Sequence, residues 1–129
     1  MSTSNLAILG CGNIGSAIAK GFAKSGLTPA DITLTRRKLE SLSELNQAGF
    51  QTSDDNAKAV QNSKIIFLTV GPSQLMDLLD EISSSLNADH LLISIVSGVS
   101  IAEIQAKVGM EISIVRAMPN TAASLCESM

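Results

Sequence analysis

The sequence contains no tryptophan and no tyrosine, and only three phenylalanines. A core without aromatic bulk must be filled by Leu, Ile, Val, Ala and Met, and 45% of the 129 positions are hydrophobic. Positive charge is also scarce: nine Lys and Arg face twelve Asp and Glu, a net charge of −3. A nucleic-acid module needs a basic footprint and usually stacking aromatics, so the composition argues against one. Cys11 and Cys126 are the only cysteines, too few to read as the disulfide framework of a domain this large. The single histidine, His90, is not clustered with them, so no metal site is expected. No apolar run approaches the length of a membrane span. Met1-Ser2-Thr3-Ser4-Asn5 carries no basic stretch leading into an apolar run of the secretory type. These absences lead to the expectation of one soluble, cytoplasmic domain over residues 1–129, without nucleic-acid or membrane partners.

What is present is an alternation of short apolar runs with longer segments of helical period. Leu6-Ala7-Ile8-Leu9 reads as a buried strand. Ile14, Ile18 and Phe22 then recur every four residues, with Ala17 and Gly21 on the same side, and Gly26 is a stop signal. Residues 32–35 form a second strand, Leu39, Leu42 and Leu45 mark a helix ending at Gly49, and residues 50–52 form a short third strand. Asp54 or Asp55 caps a short helix through Val60. Residues 65–70 are apolar on both faces, as a central parallel strand should be, and Gly71-Pro72 breaks them. Leu75, Met76, Leu79 and Ile82 describe the next helix, and residues 91–96 another two-sided strand. Ser100-Ile101-Ala102-Glu103 has the form of a capping box, ahead of Ile101, Ile104 and Val108 facing inward. Residues 112–117 make a sixth strand. The pattern predicts an α/β fold: a doubly wound parallel sheet of the Rossmann type, in the order 3-2-1-4-5-6.

Gly10-Cys11-Gly12-Asn13-Ile14-Gly15 matches G-x-G-x-x-G between the first strand and the first helix, the context that a dinucleotide site requires. Gly10 permits the tight turn, Gly12 lets a pyrophosphate approach the backbone, and Gly15 lets helix and strand pack closely. The helix N-terminus then presents free N–H groups and a partial positive charge. An NAD site usually has a carboxylate at the end of the second strand. Here the chain reads Thr35-Arg36-Arg37-Lys38. Guanidinium groups there suit a 2′-phosphate through paired, charge-assisted hydrogen bonds, with Arg36 ahead of Arg37, so NADP is the expected cofactor. Gly71-Pro72-Ser73-Gln74 and Ser97-Gly98 follow the fourth and fifth strands, at the carboxyl ends that line the crevice. Each either contacts ribose or nicotinamide through its backbone or is a plain turn. Asn120 and Thr121 offer polar groups near the expected nicotinamide end, while Arg116 pairs with an acid or sits on an edge. Cys11 reads as a small spacer, Cys126 as a surface residue and His90 as a loop residue. No nucleophilic triad or paired carboxylates stand out, and no catalytic residue is assigned.

Four segments resemble the N-terminal half of the pyrroline-5-carboxylate reductase family. They are residues 8–22, residues 66–72, residues 92–101, and Val115-Arg116-Ala117-Met118-Pro119-Asn120-Thr121. The last is the most family-specific, and together they span nearly the whole chain. The resemblance implies NADPH-dependent reduction of 1-pyrroline-5-carboxylate, a cyclic imine, to L-proline. It implies cofactor contacts from Gly10, Gly12, Asn13, Ile14 and Gly15, from the end of the second strand, and from Asn56 on the adenosine side. It adds the loop from Val70 through Gly71 and Pro72 to Ser73, and the turn from Val96 through Ser97 to Gly98. The family usually has Lys where this chain has Gly71, and a second Pro where it has Ala122. Losing the Lys removes a charge from the nicotinamide side of the crevice. The resemblance also implies a second, helical domain that makes a homo-oligomer and completes the substrate pocket, which these 129 residues are not expected to supply. Two other readings remain open: a non-catalytic NADP-binding module, and a related NADP-dependent dehydrogenase acting on another imine or carbonyl. Met118-Pro119-Asn120-Thr121 weighs against the second.

Overall fold

The short apolar runs become strands because parallel pairing buries both of their faces. The computed structural model describes residues 5–117. Strands β1 (Leu6–Leu9), β2 (Ile32–Thr35), β3 (Gln51–Ser53), β4 (Ile65–Leu68), β5 (Leu91–Ser94) and β6 (Ser113–Arg116) form one parallel sheet. Its order is β3-β2-β1-β4-β5-β6, as expected from the alternation of elements. In register, Leu6 pairs with Ile32 on one side and Ile65 on the other, and Leu9 pairs with Leu68.

Alternation along each strand divides the core into two layers. Leu6, Ile8, Ile32, Leu34, Phe67 and Ile93 face helices α1 (Asn13–Lys24) and α2 (Ser43–Gln47). Ala7, Leu9, Ile66, Leu68 and Leu92 face α3 (Asn56–Gln61), α4 (Pro72–Ile82) and α5 (Ile101–Val108). Burial of each large aliphatic side chain contributes about 1.5–3 kcal/mol. The scarce aromatics are used where they meet: Phe22 of α1 and Phe67 of β4 pack edge to face, with centroids 5.5 Å apart.

The structure shifts several expected details. Ile14 is 54% exposed and Ala17 is also exposed; the inward face of α1 is Gly15, Ile18, Ala19 and Phe22. A four-residue spacing drifts by about 40° per step around a helix of 3.6 residues per turn, and the first step carries Ile14 off the sheet. Residues 39–47 do not form one helix: Leu39–Leu42 is a 3-10 turn that precedes α2, and Leu39 stays exposed. The third strand covers residues 51–53 rather than 50–52, and the sixth 113–116 rather than 112–117. The strands expected over 65–70 and 91–96 end at Leu68 and Ser94. Beside β4, β1 turns away at Gly10, so Thr69 makes a last bond to the carbonyl of Leu9 at 3.1 Å; beside β5, Ile95 N–H makes a last bond to the carbonyl of Leu68 at 3.3 Å. Ile101 stands at the exposed start of α5 instead of facing inward.

Caps follow from local chemistry. Asp55 caps α3, its carboxylate accepting from Lys58 N–H at 3.1 Å. At α5 the Ser100 hydroxyl accepts from Glu103 N–H while Ser100 N–H donates to the Glu103 carboxylate, both at 3.1 Å. Among the described residues no helix is long and apolar enough to cross a membrane.

Candidate functional site

Between β1 and β4 the order of strands reverses, and the loops at their carboxyl ends part to leave a crevice. The turn after β1 forms one lip. Gly10 has φ +73°, and a Cβ there would stand 2.2 Å from Val70 Cγ1, so two constraints demand glycine. At Gly12, by contrast, an added Cβ would meet only the carbonyl of Gly10 at 4.0 Å. The backbone is open to the crevice at that point. Gly15 packs inward: its Cβ would lie 3.1 Å from Ile8 Cγ2 and Thr69 Oγ1. Helix α1, which begins directly after Gly12, has no acidic residue in its first turn and no side chain capping it, so its N-terminus keeps its partial positive charge.

The end of β2 is tied to this turn. Thr35 is 1% exposed; its carbonyl accepts from Cys11 N–H at 2.7 Å and its hydroxyl from Gly10 N–H at 3.2 Å. The Thr35 hydroxyl donates to Asn56 Oδ1, and Asn56 Nδ2 donates to a Glu81 carboxylate oxygen at 3.0 Å. On the β4 side the Thr69 hydroxyl reaches the carbonyls of Leu9 at 2.7 Å and Gly10 at 3.1 Å. Gly71 caps α4 through its carbonyl, which accepts from Gln74 N–H at 3.0 Å; its own N–H donates to the Gln74 side chain at 3.4 Å. Cys11 is fully buried beneath the turn, 3.6 Å from the Ser16 hydroxyl. Burial pushes its thiol pKa up, against smaller opposing effects of Ser16 and the Arg36 charge.

These groups enclose a cleft of about 410 Å³. Gly10 and Gly12 line it from the turn, Arg36 and Arg37 from the end of β2, and Asn56 from α3. Val70 and Gly71 line it from the β4–α4 loop. Seven residues singled out from the sequence therefore meet in one place. Asn13 and Ile14 are exposed on the first turn of α1, Gly15 is buried behind it, and Pro72 is exposed at the start of α4. Ser97 and Gly98 lie exposed beyond the carboxyl end of β5 and do not line this cleft. Asn120, with Thr121 and Cys126, lies outside the described residues. Gln74, noted in the segment after the fourth strand, lines the cleft too, but sequence reasoning missed the rest of the α4 wall, Asp77, Leu78 and Glu81. Their spacing of three and four on one helix was the available signal. It also missed the part played by Thr35 and Thr69.

A dinucleotide fits this donor set. Open backbone at Gly12 and an uncapped helix N-terminus suit a diphosphate. Arg36 and Arg37 are exposed and, among the described residues, make no ion pair, which leaves both guanidinium groups to an anion. Among the described residues no cluster has the side chains to hold a metal ion.

A parallel sheet of this order with a glycine turn at its switch point defines a nucleotide-binding domain of the Rossmann class. The chain belongs to the oxidoreductase family described as NADP oxidoreductase coenzyme F420-dependent, whose model matches residues 5–98. It is 44% identical, over 98% of its length, to pyrroline-5-carboxylate reductase 1 of Dictyostelium discoideum, of which it covers 23%. Among solved structures, a pyrroline-5-carboxylate reductase from Coxiella burnetii superposes with a TM-score of 0.89 at 32% identity. That match covers 95% of this chain and 47% of the other. The pyrroline carboxylate reductase of Plasmodium falciparum, solved with NADP bound, matches with a TM-score of 0.80 at 27% identity, over 93% of this chain and 44% of that one. The resemblance read from the four segments thus extends over nearly the whole chain. The chain spans less than half the length of each of these relatives.

Proposed function

We propose that this chain is the cofactor-binding half of an NADPH-dependent reductase that converts 1-pyrroline-5-carboxylate to L-proline. The observation that carries the reading is the pairing, in one cleft, of an open glycine turn with two guanidinium groups at the end of β2, where an NAD site would carry a carboxylate. In this reading the amides of Gly12, Asn13 and Ile14 hold the diphosphate, and Gly10 and Gly15 shape the turn. Arg36 takes the 2′-phosphate with Arg37 beside it, and Asn56 meets the adenosine ribose. Val70, Gly71 and Pro72, with Ser97 and Gly98, border the nicotinamide ribose, and Asn120 lies toward the nicotinamide.

When bound, the nicotinamide supplies the hydride that reduces the C=N carbon. The chain's own residues bind and orient the cofactor; none of them is assigned as the proton donor to nitrogen. The relatives' names support a cyclic imine as substrate, and their greater length supports a partner domain that closes the pocket and joins subunits. A cytoplasmic location belongs to the same reading.

Charge-assisted hydrogen bonds contribute about 1.5–3 kcal/mol each. Arg36→Ala should therefore raise the NADPH dissociation constant by about tenfold or more and leave that of NADH within about twofold. Calorimetric titration of the 129-residue chain checks this, and equal losses for both nucleotides would remove Arg36 from 2′-phosphate recognition. The same chain, given NADPH and the imine, should bind the nucleotide and turn over poorly by absorbance assay. Robust turnover would show that no partner domain is needed.

A further inference from the structure

We infer that Glu81, on the wall of α4, is a positioning residue for the cofactor cleft, acting through Asn56 and Thr35 on the glycine turn. The inference rests on the dinucleotide reading above but assigns a part to Glu81 and Thr35, which that reading does not use. Glu81 is the last member of a hydrogen-bonded chain: Gly10 N–H to Thr35 Oγ1, Thr35 O–H to Asn56 Oδ1, and Asn56 Nδ2–H to Glu81.

The chain has one direction because both of its ends are chemically fixed. A backbone N–H can only donate, so the Thr35 hydroxyl accepts from Gly10. An ionised carboxylate can only accept, so the Asn56 amide turns its nitrogen toward Glu81. Its oxygen is then left facing Thr35, whose single proton goes to it. Glu81 thereby selects one of two amide orientations that would otherwise have nearly the same shape. Asn56 consequently presents N–H to the cleft on the Glu81 side, which suits an acceptor such as a ribose or phosphate oxygen.

The chain also crosses the fold. It joins the glycine turn, the end of β2, the first turn of α3 and α4, elements that share the cleft and otherwise belong to both sides of the switch point. Thr35 is buried, so its hydroxyl has no water to fall back on, and Gly10 N–H depends on it. Glu81 itself is exposed and contributes to no core layer, so its removal tests orientation without emptying the interior.

The test uses the whole 129-residue chain with NADPH as probe. Glu81→Ala should weaken NADPH binding about fivefold, the size expected for one lost hydrogen bond. Glu81→Gln, whose side-chain oxygen can still accept from Asn56, should restore most of that loss. Thr35→Val should weaken binding at least as much, and combining it with Glu81→Ala should add little, because both break one chain. In the ligand-free protein, Glu81→Ala should move the NMR resonances of the Asn56 side-chain amide and of the Gly10 backbone amide. A role confined to stability would move neither selectively. Unchanged resonances, or additive losses, would overturn the inference. Should the wild-type chain fail to bind NADPH, the dinucleotide reading falls, while the resonances still decide whether Glu81 sets the amide.

Discussion

At the scale of single residues, the glycine turn is over-determined. Gly10 combines a positive φ with the 2.2 Å approach to Val70. Gly10→Ala should therefore cost about 1–3 kcal/mol from backbone strain alone, before any displacement of Val70. Urea unfolding would measure it, and a variant as stable as the parent would show that the turn relaxes freely. Beneath it, Cys11 supplies a pH dependence. Its folded pKa is raised above the ordinary thiol value of 9.0, mainly by burial. Stability from this site is complete below that value and is lost as pH rises through it toward the folded pKa, because the unfolded chain ionises first. Melting temperature should begin to fall as pH rises through the ordinary thiol value of 9.0, and Cys11→Ala should flatten that fall; an identical decline in both proteins would assign it elsewhere. The glycines and arginines could be read from the sequence because their chemistry is local. Thr35 could not: nothing in the string says that its hydroxyl meets Gly10 and Asn56, residues 25 and 21 positions away.

At the scale of elements, period and caps carried most of the information, and faces were where the reading slipped. The repeat of Ile14, Ile18 and Phe22 identified α1 but not its inward side, because Ile14 stands exposed on the first turn of the helix. The capping box at Ser100 was legible because it is a contact between neighbours in sequence. Ser100→Ala should cost about 1 kcal/mol of stability, and NADPH affinity should not change, since α5 contributes nothing to the cleft lining. Equilibrium unfolding alongside titration separates the two; a lost affinity would place α5 in the site's support. His90 shows the opposite case. It stands in a loop, as read, but its burial was not legible: its ring accepts from Asn87 N–H at 3.0 Å through Nδ1. That leaves Nε2 to donate to the Val60 carbonyl at 3.0 Å, pinning the loop before β5 to the end of α3.

At the scale of the whole molecule, strand order was predictable because right-handed crossovers and two-sided apolar strands leave few alternatives. The cleft's acidic wall was not, since Asp77 and Glu81 come to line the same cleft as Arg36 and Arg37 only once α4 is laid across the switch point. This arrangement makes the ligand a structural link as well as a cofactor. The cleft draws on the turn after β1, the end of β2, α3 and α4, so a nucleotide held there touches units on both sides of β1. Binding to the folded state alone adds about 2.7 kcal/mol at a hundredfold excess over the dissociation constant. For a domain of this size, each kcal/mol moves the melting temperature by about 3–5 °C. NADPH at that excess should therefore raise it by about 10 °C. NADH at the same concentration should do much less, because it lacks the phosphate that the arginines are proposed to hold. Thermal scans with the two nucleotides test both statements at once. Equal shifts would leave the glycine turn in place and remove the arginines' role, whereas no shift with either would empty the cleft of its assigned ligand.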